Sequence, residues 1–279
     1  MKKNFKFANR VLKDFKKESP SQINIKKKYD FKKYLTMHEN LFNNLKFPLE
    51  LFKNKKVIDL GCGTGEVDFV LNKFGAKLEC LDFNGKSIDY AKKLKKKLKL
   101  KNINFRTASI EEYKVKKKHF DISTSFGVIT HVYDQEGLFK KLVNSTKKKG
   151  YIILGFVEDA GLIQRLLHRA IIRKLSNKSE KEIYVYAKKL FREHLDRSMK
   201  FGMRTYRGII NDYLVNQAYY GLSSTKLHQW AQKYNLEFYS SSPEISLPLR
   251  IDPGIKDQKI KSTKLKIMLN SIFRLRSIF

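Results

Sequence analysis

The sequence is poor in the residues that build disulfide frameworks and metal clusters. Its 279 residues include only 2 cysteines and 5 prolines, and the cysteines, Cys62 and Cys80, are too far apart for a C-x-x-C pair. The histidines also lack metal-ligand spacing. Few prolines and 42% hydrophobic residues argue against a disordered or low-complexity chain. We therefore expect a folded protein without a disulfide framework or a metal site.

Long hydrophobic runs are absent as well. The longest clean apolar run, residues 151–157, is far shorter than the roughly 20 residues that span a bilayer. The first residues are basic, but the continuous apolar stretch of a signal peptide does not follow them. These features predict a cytoplasmic protein, and a peripheral position at the membrane surface stays open.

Acidic residues are scarce relative to basic ones. The chain has 59 Lys and Arg against 27 Asp and Glu, a formal net charge of +32. Such a charge favours contact with nucleic acid or anionic lipid. However, the excess is mostly lysine spread from Lys2 to Lys266, whereas RNA-binding proteins usually concentrate arginine and aromatics on one face. A/T-rich coding would produce the same composition, so both interpretations stay open.

Short apolar runs alternate with longer helical segments from residue 55 onwards. This alternation predicts repeated βα units around a parallel sheet. The predicted strands are 57–61, 78–83, 103–108, 120–126 and 151–157, with a sixth at 236–240. The predicted helices are 65–74, 87–100 and 136–146 between strands, 161–175 after the fifth strand, and a later one capped by Ser224 or Thr225.

A glycine-rich turn follows the first predicted strand. That strand contains Asp59, and Gly61-Cys62-Gly63-Thr64-Gly65 comes directly before a helix. Glycines at this spacing let a nucleoside lie against the backbone. A dinucleotide fingerprint needs glycine where this chain has Glu66, and no Gly-Lys-Ser/Thr of a P-loop follows. The turn therefore predicts a nucleoside site of another kind.

The stretch from Val57 to Gly65 resembles the first motif of class I S-adenosylmethionine-dependent methyltransferases. The resemblance continues in Cys80-Leu81-Asp82-Phe83, where it implies that Asp82 holds both ribose hydroxyls, and a carboxylate can accept both hydrogen bonds. It implies an α/β, Rossmann-like fold: a mostly parallel sheet with helices on both faces, an N-terminal helical extension and a helical insertion after the fifth strand.

Later segments extend this resemblance to residues 55–157. Ala108-Ser109-Ile110 resembles the adenine-contacting segment, with Ser109 in place of the usual acidic residue; residues 120–132 resemble the fourth motif and 149–154 the entry to the fifth strand. The cofactor implied is S-adenosylmethionine. Its predicted contacts are Asp59, Gly61, Cys62, Gly63, Thr64, Gly65, Asp82, Phe83, Ser109, Ile110, Ser125 and Phe126.

Two residues carry open alternatives. His131, just past the fourth strand, is the candidate general base, and a structural or positioning role is its alternative. Asp59 is expected to contact the methionine amino group, or else to cap the glycine turn. The methyl donor itself requires no nucleophilic side chain, because alignment of the acceptor and exclusion of water do most of the work.

The resemblance leaves the methyl acceptor open. We expect a helical extension or lid at 1–50, a cofactor-binding core at 51–160, a helical insertion covering the acceptor site at 161–222, a final helix and strand at 223–251, and a basic amphipathic tail at 252–279. Added helices after the fifth strand favour methylation of an oxygen or nitrogen on a small-molecule or lipid-like acceptor.

Two other functions remain as alternatives. The charge favours an RNA methyltransferase, but Ser125-Phe126-Gly127-Val128 replaces the Asn/Asp-Pro-Pro-Tyr/Phe motif of base-amine methylation, so nucleic acid is the weaker candidate. The basic amphipathic segments 161–175 and 259–279 favour a membrane-surface protein that retains a nucleoside pocket, with peripheral contact to anionic lipid.

Overall fold

Five parallel strands form one sheet in the computed structural model, which describes residues 11, 15, 28–176, 179–202, 205–216 and 220–242. The strand order is β3-β2-β1-β4-β5. The strands are β1 Lys56–Leu60, β2 Lys77–Asp82, β3 Ile103–Thr107, β4 Phe120–Phe126 and β5 Thr146–Gly155. The order reverses between β1 and β4, so their carboxyl ends frame the crevice in which such sheets bind ligands.

Helices cover both faces of this sheet. Around the strands lie α1 Lys28–Asn44, α2 Glu66–Lys73, α3 Gly85–Lys97 and α4 Gln135–Ser145. After β5 come α5 Leu162–Leu175, α6 Glu180–Leu190, α7 Arg192–Gly202, α8 Tyr206–Ile210 with the π-helical turn Asn211–Val215, and α9 Ser224–Lys233. One apolar core packs α1, α2 and α3 against the sheet, and a second packs α4 and α9. The predicted fold class is confirmed.

The local sequence explains why these elements form. Val57, Ile58 and Leu60 are fully buried in β1, as expected for a parallel strand covered on both faces. Asn84 caps α3 by accepting a hydrogen bond from the Lys86 amide at 3.2 Å. The cap of α9 is Ser223, whose hydroxyl accepts a hydrogen bond from the Lys226 amide. The predicted caps, Ser224 and Thr225, lie one and two residues too late.

The fifth strand begins earlier than predicted. It starts at Thr146, and its register with β4 shifts, because Phe120 pairs with Thr146 whereas Ile122 pairs with Tyr151. Lys149 has a φ of 61° within the extra stretch. A β-bulge therefore interrupts the basic run before the apolar part of β5. The prediction from hydropathy missed this first part of the strand because it consists mostly of lysines.

The predicted sixth strand at 236–240 was wrong. These residues form no strand, and the Leu236 amide instead bonds to the Ala231 carbonyl at 2.8 Å, which closes the end of α9. The Tyr239 hydroxyl donates to the Lys46 carbonyl at 2.7 Å, and its ring lies 5.7 Å from that of Tyr151. Side chains therefore hold the segment beside β5, and its backbone makes no ladder with that strand.

The helices after β5 have a small core of their own, consisting of Ile172, Ile183, Ala187, Leu195, Ile209, Ile210 and Leu214. Within the described ranges, none of the helices has the length and apolar character needed to cross a bilayer. The predicted tail at 252–279, and most of the extension before residue 28, lie outside the described residues.

Candidate active site

The glycine turn lies between β1 and α2 and packs closely against neighbouring strands. Gly61 has a φ of 94°, and a Cβ there would come within 2.2 Å of Val128. Gly65 has a φ of 80°, and a Cβ there would come within 2.7 Å of the Phe105 ring. Glycine is therefore required at both positions by conformation and by space. At its three glycines, the turn presents bare backbone at the carboxyl edge of the sheet.

The carboxylate of Asp82 joins the glycine turn to the end of β2. One oxygen accepts the Gly63 amide at 2.9 Å, and the other accepts the Asn84 amide at 2.8 Å. Each oxygen keeps lone-pair capacity for a further donor, and the side chain retains a small exposed surface. Burial raises the pKa of Asp82, while the two amides lower it. Two acceptor oxygens placed in this way fit the paired hydroxyls of a ribose, each of which can donate one hydrogen bond.

The other residues predicted to bind the methyl donor lie at or just after strand ends, but their side chains differ in burial. The half-buried ones are Cys62, Phe83, Ser109 and Phe126, whereas Thr64, Ile110 and Ser125 are buried. Thr64 donates a hydrogen bond to the carboxylate of Glu66. The Ser125 hydroxyl donates to the Leu60 carbonyl at 2.8 Å. Ser125 thus ties β4 to β1 through its side chain.

Asp59 lies beneath the turn and is almost completely buried. The Thr124 hydroxyl donates to its carboxylate at 2.8 Å. Burial raises the pKa of Asp59 to about 7, and the Thr124 hydrogen bond opposes that rise. Sequence reasoning missed Thr124, although its place beside Ser125 in β4 was a usable signal. The pair fixes one carboxylate at the switch point of the sheet.

A second buried carboxyl group, that of Asp68, lies next to Asp59. Asp68 has no exposed surface, and neither of its oxygens accepts a hydrogen bond from an N–H or hydroxyl donor. Burial raises its pKa well above the usual range, and so does the charge of Asp59. The sequence offered one signal for this residue, an acidic side chain among the apolar positions of α2.

His131 ends a 3-10 turn, Ile129–His131, at the carboxyl side of β4. The Phe15 ring packs edge-on against the His131 ring at a centroid distance of 5.0 Å. The Phe15 carbonyl accepts a hydrogen bond from the Asn84 side chain at 3.1 Å. A residue of the N-terminal extension therefore reaches both the segment after β2 and the candidate base.

Two tyrosines border the same turn. Their rings, those of Tyr133 and Tyr220, lie 6.5 Å apart and nearly perpendicular. The Tyr220 amide donates to the Thr130 carbonyl at 2.7 Å, and Gln135 bridges the carbonyls of Ile129 and Gly221 at 3.1 Å each. The chain that leaves the helical insertion is thus fastened beside His131, where aromatic side chains gather.

The described residues hold no cluster of three or more histidine, cysteine, aspartate or glutamate side chains suited to a metal ion. Cys62 and Cys80 are free thiols whose pKa values are raised by burial.

Comparison with known proteins identifies related chains. Residues 51–233 match the family model described as a methyltransferase domain. The ubiquinone biosynthesis O-methyltransferase of Pelagibacter ubique is 36% identical over 102 residues, covering 37% of this chain and 42% of that protein. The enzyme of the same name from Coxiella burnetii is 31% identical over 105 residues, covering 38% and 44%. The match thus spans less than half the length of these curated relatives.

Solved structures show weaker likeness. The PH0226 protein from Pyrococcus horikoshii aligns with a TM-score of 0.44 at 22% identity, over 55% of this chain and 70% of that one. An S-adenosylmethionine-dependent methyltransferase from Mesorhizobium loti aligns with a TM-score of 0.37 at 21% identity, over 43% and 53%.

The family match covers more than half of the chain and includes all five strands, the glycine turn, Asp82 and His131. The chain therefore belongs to the methyltransferase-domain family.

Proposed function

We propose that this protein transfers a methyl group from S-adenosylmethionine to an oxygen or nitrogen of a small-molecule or lipid-like acceptor. The observation that carries the acceptor class is the set of aromatic side chains at His131. Phe15 packs on the imidazole, and Tyr133 and Tyr220 border its turn. Such rings suit an acceptor with aromatic or apolar parts.

In this proposal, one group of residues binds the methyl donor and another positions the methyl acceptor. Bound S-adenosylmethionine supplies a methyl group on an electrophilic sulfonium. Asp82 would hold the ribose hydroxyls, the turn from Gly61 to Gly65 would let the nucleoside approach the backbone, and Asp59 would bind the amino group. His131 accepts the proton of an acceptor hydroxyl. Phe15 excludes water from the acceptor side, which aids alignment.

Oxygen is the preferred acceptor atom in this proposal. The two curated relatives are named as O-methyltransferases, and a histidine base suits a hydroxyl acceptor. RNA remains the rival acceptor because the net charge is +32.

A labelled-methyl assay tests the proposal. The full chain is incubated with methyl-labelled S-adenosylmethionine and, in separate arms, hydroxylated aromatic compounds with and without apolar tails, primary amines, or RNA. We expect label on the hydroxylated aromatics, and its loss in His131→Ala with retained S-adenosylhomocysteine binding. Label on RNA alone would replace the proposed acceptor class.

One further observation favours a lipid-like acceptor and a peripheral membrane position. Helix α5 reverses the pattern of an ordinary surface helix, because its Arg165 and Arg169 side chains are buried against the protein. Its exposed apolar side chains are Ile163, Leu166, Leu167, Ile171 and Leu175. Arg173 and Lys174 are exposed beside this stripe. An apolar stripe flanked by cations suits the surface of an anionic bilayer.

Vesicle flotation tests this membrane position, which we propose for an otherwise cytoplasmic protein. We expect the full chain to float with anionic phosphatidylserine vesicles and not with neutral ones. The double variant Leu166→Gln, Leu167→Gln should lose flotation, whereas Phe238→Gln, which alters an exposed ring after α9, should keep it. Flotation that survives the α5 change would remove this helix as the docking surface.

A further inference from the structure

The carboxyl groups of Asp59 and Asp68 are packed together in the interior below the glycine turn. Asp59 is on β1 and Asp68 on the first turns of α2, and their side chains are within hydrogen-bonding contact. Asp59 keeps 3% of its surface exposed and Asp68 none. Neither of them forms an ion pair with a lysine, arginine or histidine of the described part of the chain. Two contacting carboxyl groups in such surroundings cannot both be ionised.

Among the residues that the structure describes, the titratable groups that face Asp68 from the surrounding elements add no positive charge. They are Asp59 on β1, Cys80 on β2, Glu66 on α2, Tyr34 on α1 and Cys62 in the glycine turn. Each of these is neutral or acidic. A buried, unpaired carboxylate is so costly that the group takes up a proton instead.

The hydrogen bonds decide which of the two carries the proton. Asp59 accepts the Thr124 hydroxyl at 2.8 Å, which stabilises its ionised form. Asp68 has no N–H or hydroxyl donor; the Cys80 thiol beside it lowers its pKa, but a thiol is a weaker donor than a hydroxyl. A protonated carboxyl group has one O–H donor, and Asp59 is the acceptor within reach. The contact between them lowers the pKa of Asp59 and raises that of Asp68.

We propose that Asp68 is a positioning residue of the methyl-donor site: it stays protonated at neutral pH and donates a hydrogen bond to Asp59. Once Asp59 ionises, the pair carries a single negative charge, held on Asp59 between Thr124 and Asp68. This rests on the proposed function in one respect, namely that Asp59 faces the amino group of the donor. Asp68 itself lies in the interior and acts only through Asp59.

Calorimetric titration with S-adenosylhomocysteine across a pH series tests the proposal in the full chain. Asp68→Asn keeps a donor and cannot ionise, so its affinity should stay within about twofold of wild type, with the same pH midpoint. Asp68→Leu removes the donor, so binding should weaken about tenfold and the midpoint should rise. Asp89→Asn, on the exposed face of α3, is the matched control.

Other results would overturn the proposal. If Asp68 is ionised in the native protein, Asp68→Asn removes a negative neighbour, and the midpoint for binding moves to lower pH. Unchanged binding in both Asp68→Asn and Asp68→Leu would show that Asp68 does not act on Asp59.

Infrared spectroscopy reads the proton without any nucleoside. The difference spectrum of wild type minus Asp68→Asn at neutral pH should contain the carbonyl stretch of a protonated carboxylic acid. Its absence defeats the shared proton. Because this band does not depend on nucleoside binding, it still decides the matter if S-adenosylhomocysteine fails to bind and the proposed function falls.

Discussion

Asp82 does two things with one carboxylate. It accepts the amides of Gly63 and Asn84, and so it holds the glycine turn against β2 before any ligand is present. In the proposed donor site, its remaining lone pairs would accept hydrogen bonds from paired hydroxyls. Such a residue pre-organises the site as well as lining it, which reduces the ordering cost on binding.

Replacement of this carboxylate should be costly for the nucleoside. We expect Asp82→Ala to weaken S-adenosylhomocysteine binding by about tenfold or more, because charge-assisted hydrogen bonds and the anchor of the turn are lost together. Isothermal titration measures the effect, and Asp89→Ala serves as the exposed aspartate control. Equal affinities in the two variants would mean that another residue holds the ribose.

Side-chain direction was harder to predict than residue position. The fourth-motif resemblance identified Ser125 at the end of β4, but its hydroxyl bonds to the Leu60 carbonyl in β1. Thr124, one position earlier, bonds to Asp59. The register of β1 against β4 decides which hydroxyl meets which partner, and a register is a contact between distant segments that one strand's sequence does not contain.

At the scale of elements, the start of α2 depends on how closely the turn approaches β3. Gly65 is the N-cap of α2 in a left-handed conformation, and the Phe105 ring fills the space beside it. The helix therefore begins where its neighbour leaves room for a hydrogen atom alone.

Alanine at this position should destabilise the fold. Gly65→Ala is expected to lower the free energy of unfolding by about 1–3 kcal/mol, from the positive φ and the clash with Phe105. Gly85→Ala, at the first residue of α3, meets its nearest neighbour at an ordinary 3.8 Å and should change stability by under about 1 kcal/mol. Urea denaturation compares them, and equal midpoints would refute the argument.

Strand and helix order were predictable because hydrophobic periodicity is local. The five strands lie within a few residues of their predicted positions apart from the start of β5. The errors occur where contacts with distant segments decide whether a stretch becomes a strand. Pairing with β4 extends β5 through a bulge into a lysine run, and side chains instead of a backbone ladder hold residues 236–240. Hydropathy cannot distinguish a paired strand from an extended segment that merely lies beside one.

At the scale of the whole molecule, the buried carboxyl groups make stability depend on pH. The pKa of Asp68 is raised in the folded chain, whereas in the unfolded chain it has its ordinary value of about 4. Between that value and neutral pH the folded chain therefore holds a proton that the unfolded chain releases. Stability falls as pH rises through this window.

Asp68→Asn should flatten this dependence. The variant no longer holds the extra proton, so between weakly acid and neutral pH its slope of unfolding free energy against pH should be shallower by about 1.4 kcal/mol per pH unit. The variant should gain most over wild type at the alkaline end of the window. Chemical denaturation at several pH values measures the slope, with Asp89→Asn as the control. Parallel curves for wild type and Asp68→Asn would contradict a protonated Asp68.

The strand, the glycine turn and the helix of the candidate methyl-donor site follow from the sequence alone, because they are formed by neighbouring residues whose spacing is visible in the chain. Only the tertiary structure decided that Asp68 meets Asp59, that Phe15 reaches His131, and that α5 turns two arginines inward. Phe15 and Asn84, for example, are 69 residues apart in sequence. Such contacts depend on the packing of separate elements, which a local pattern of hydrophobic residues does not specify.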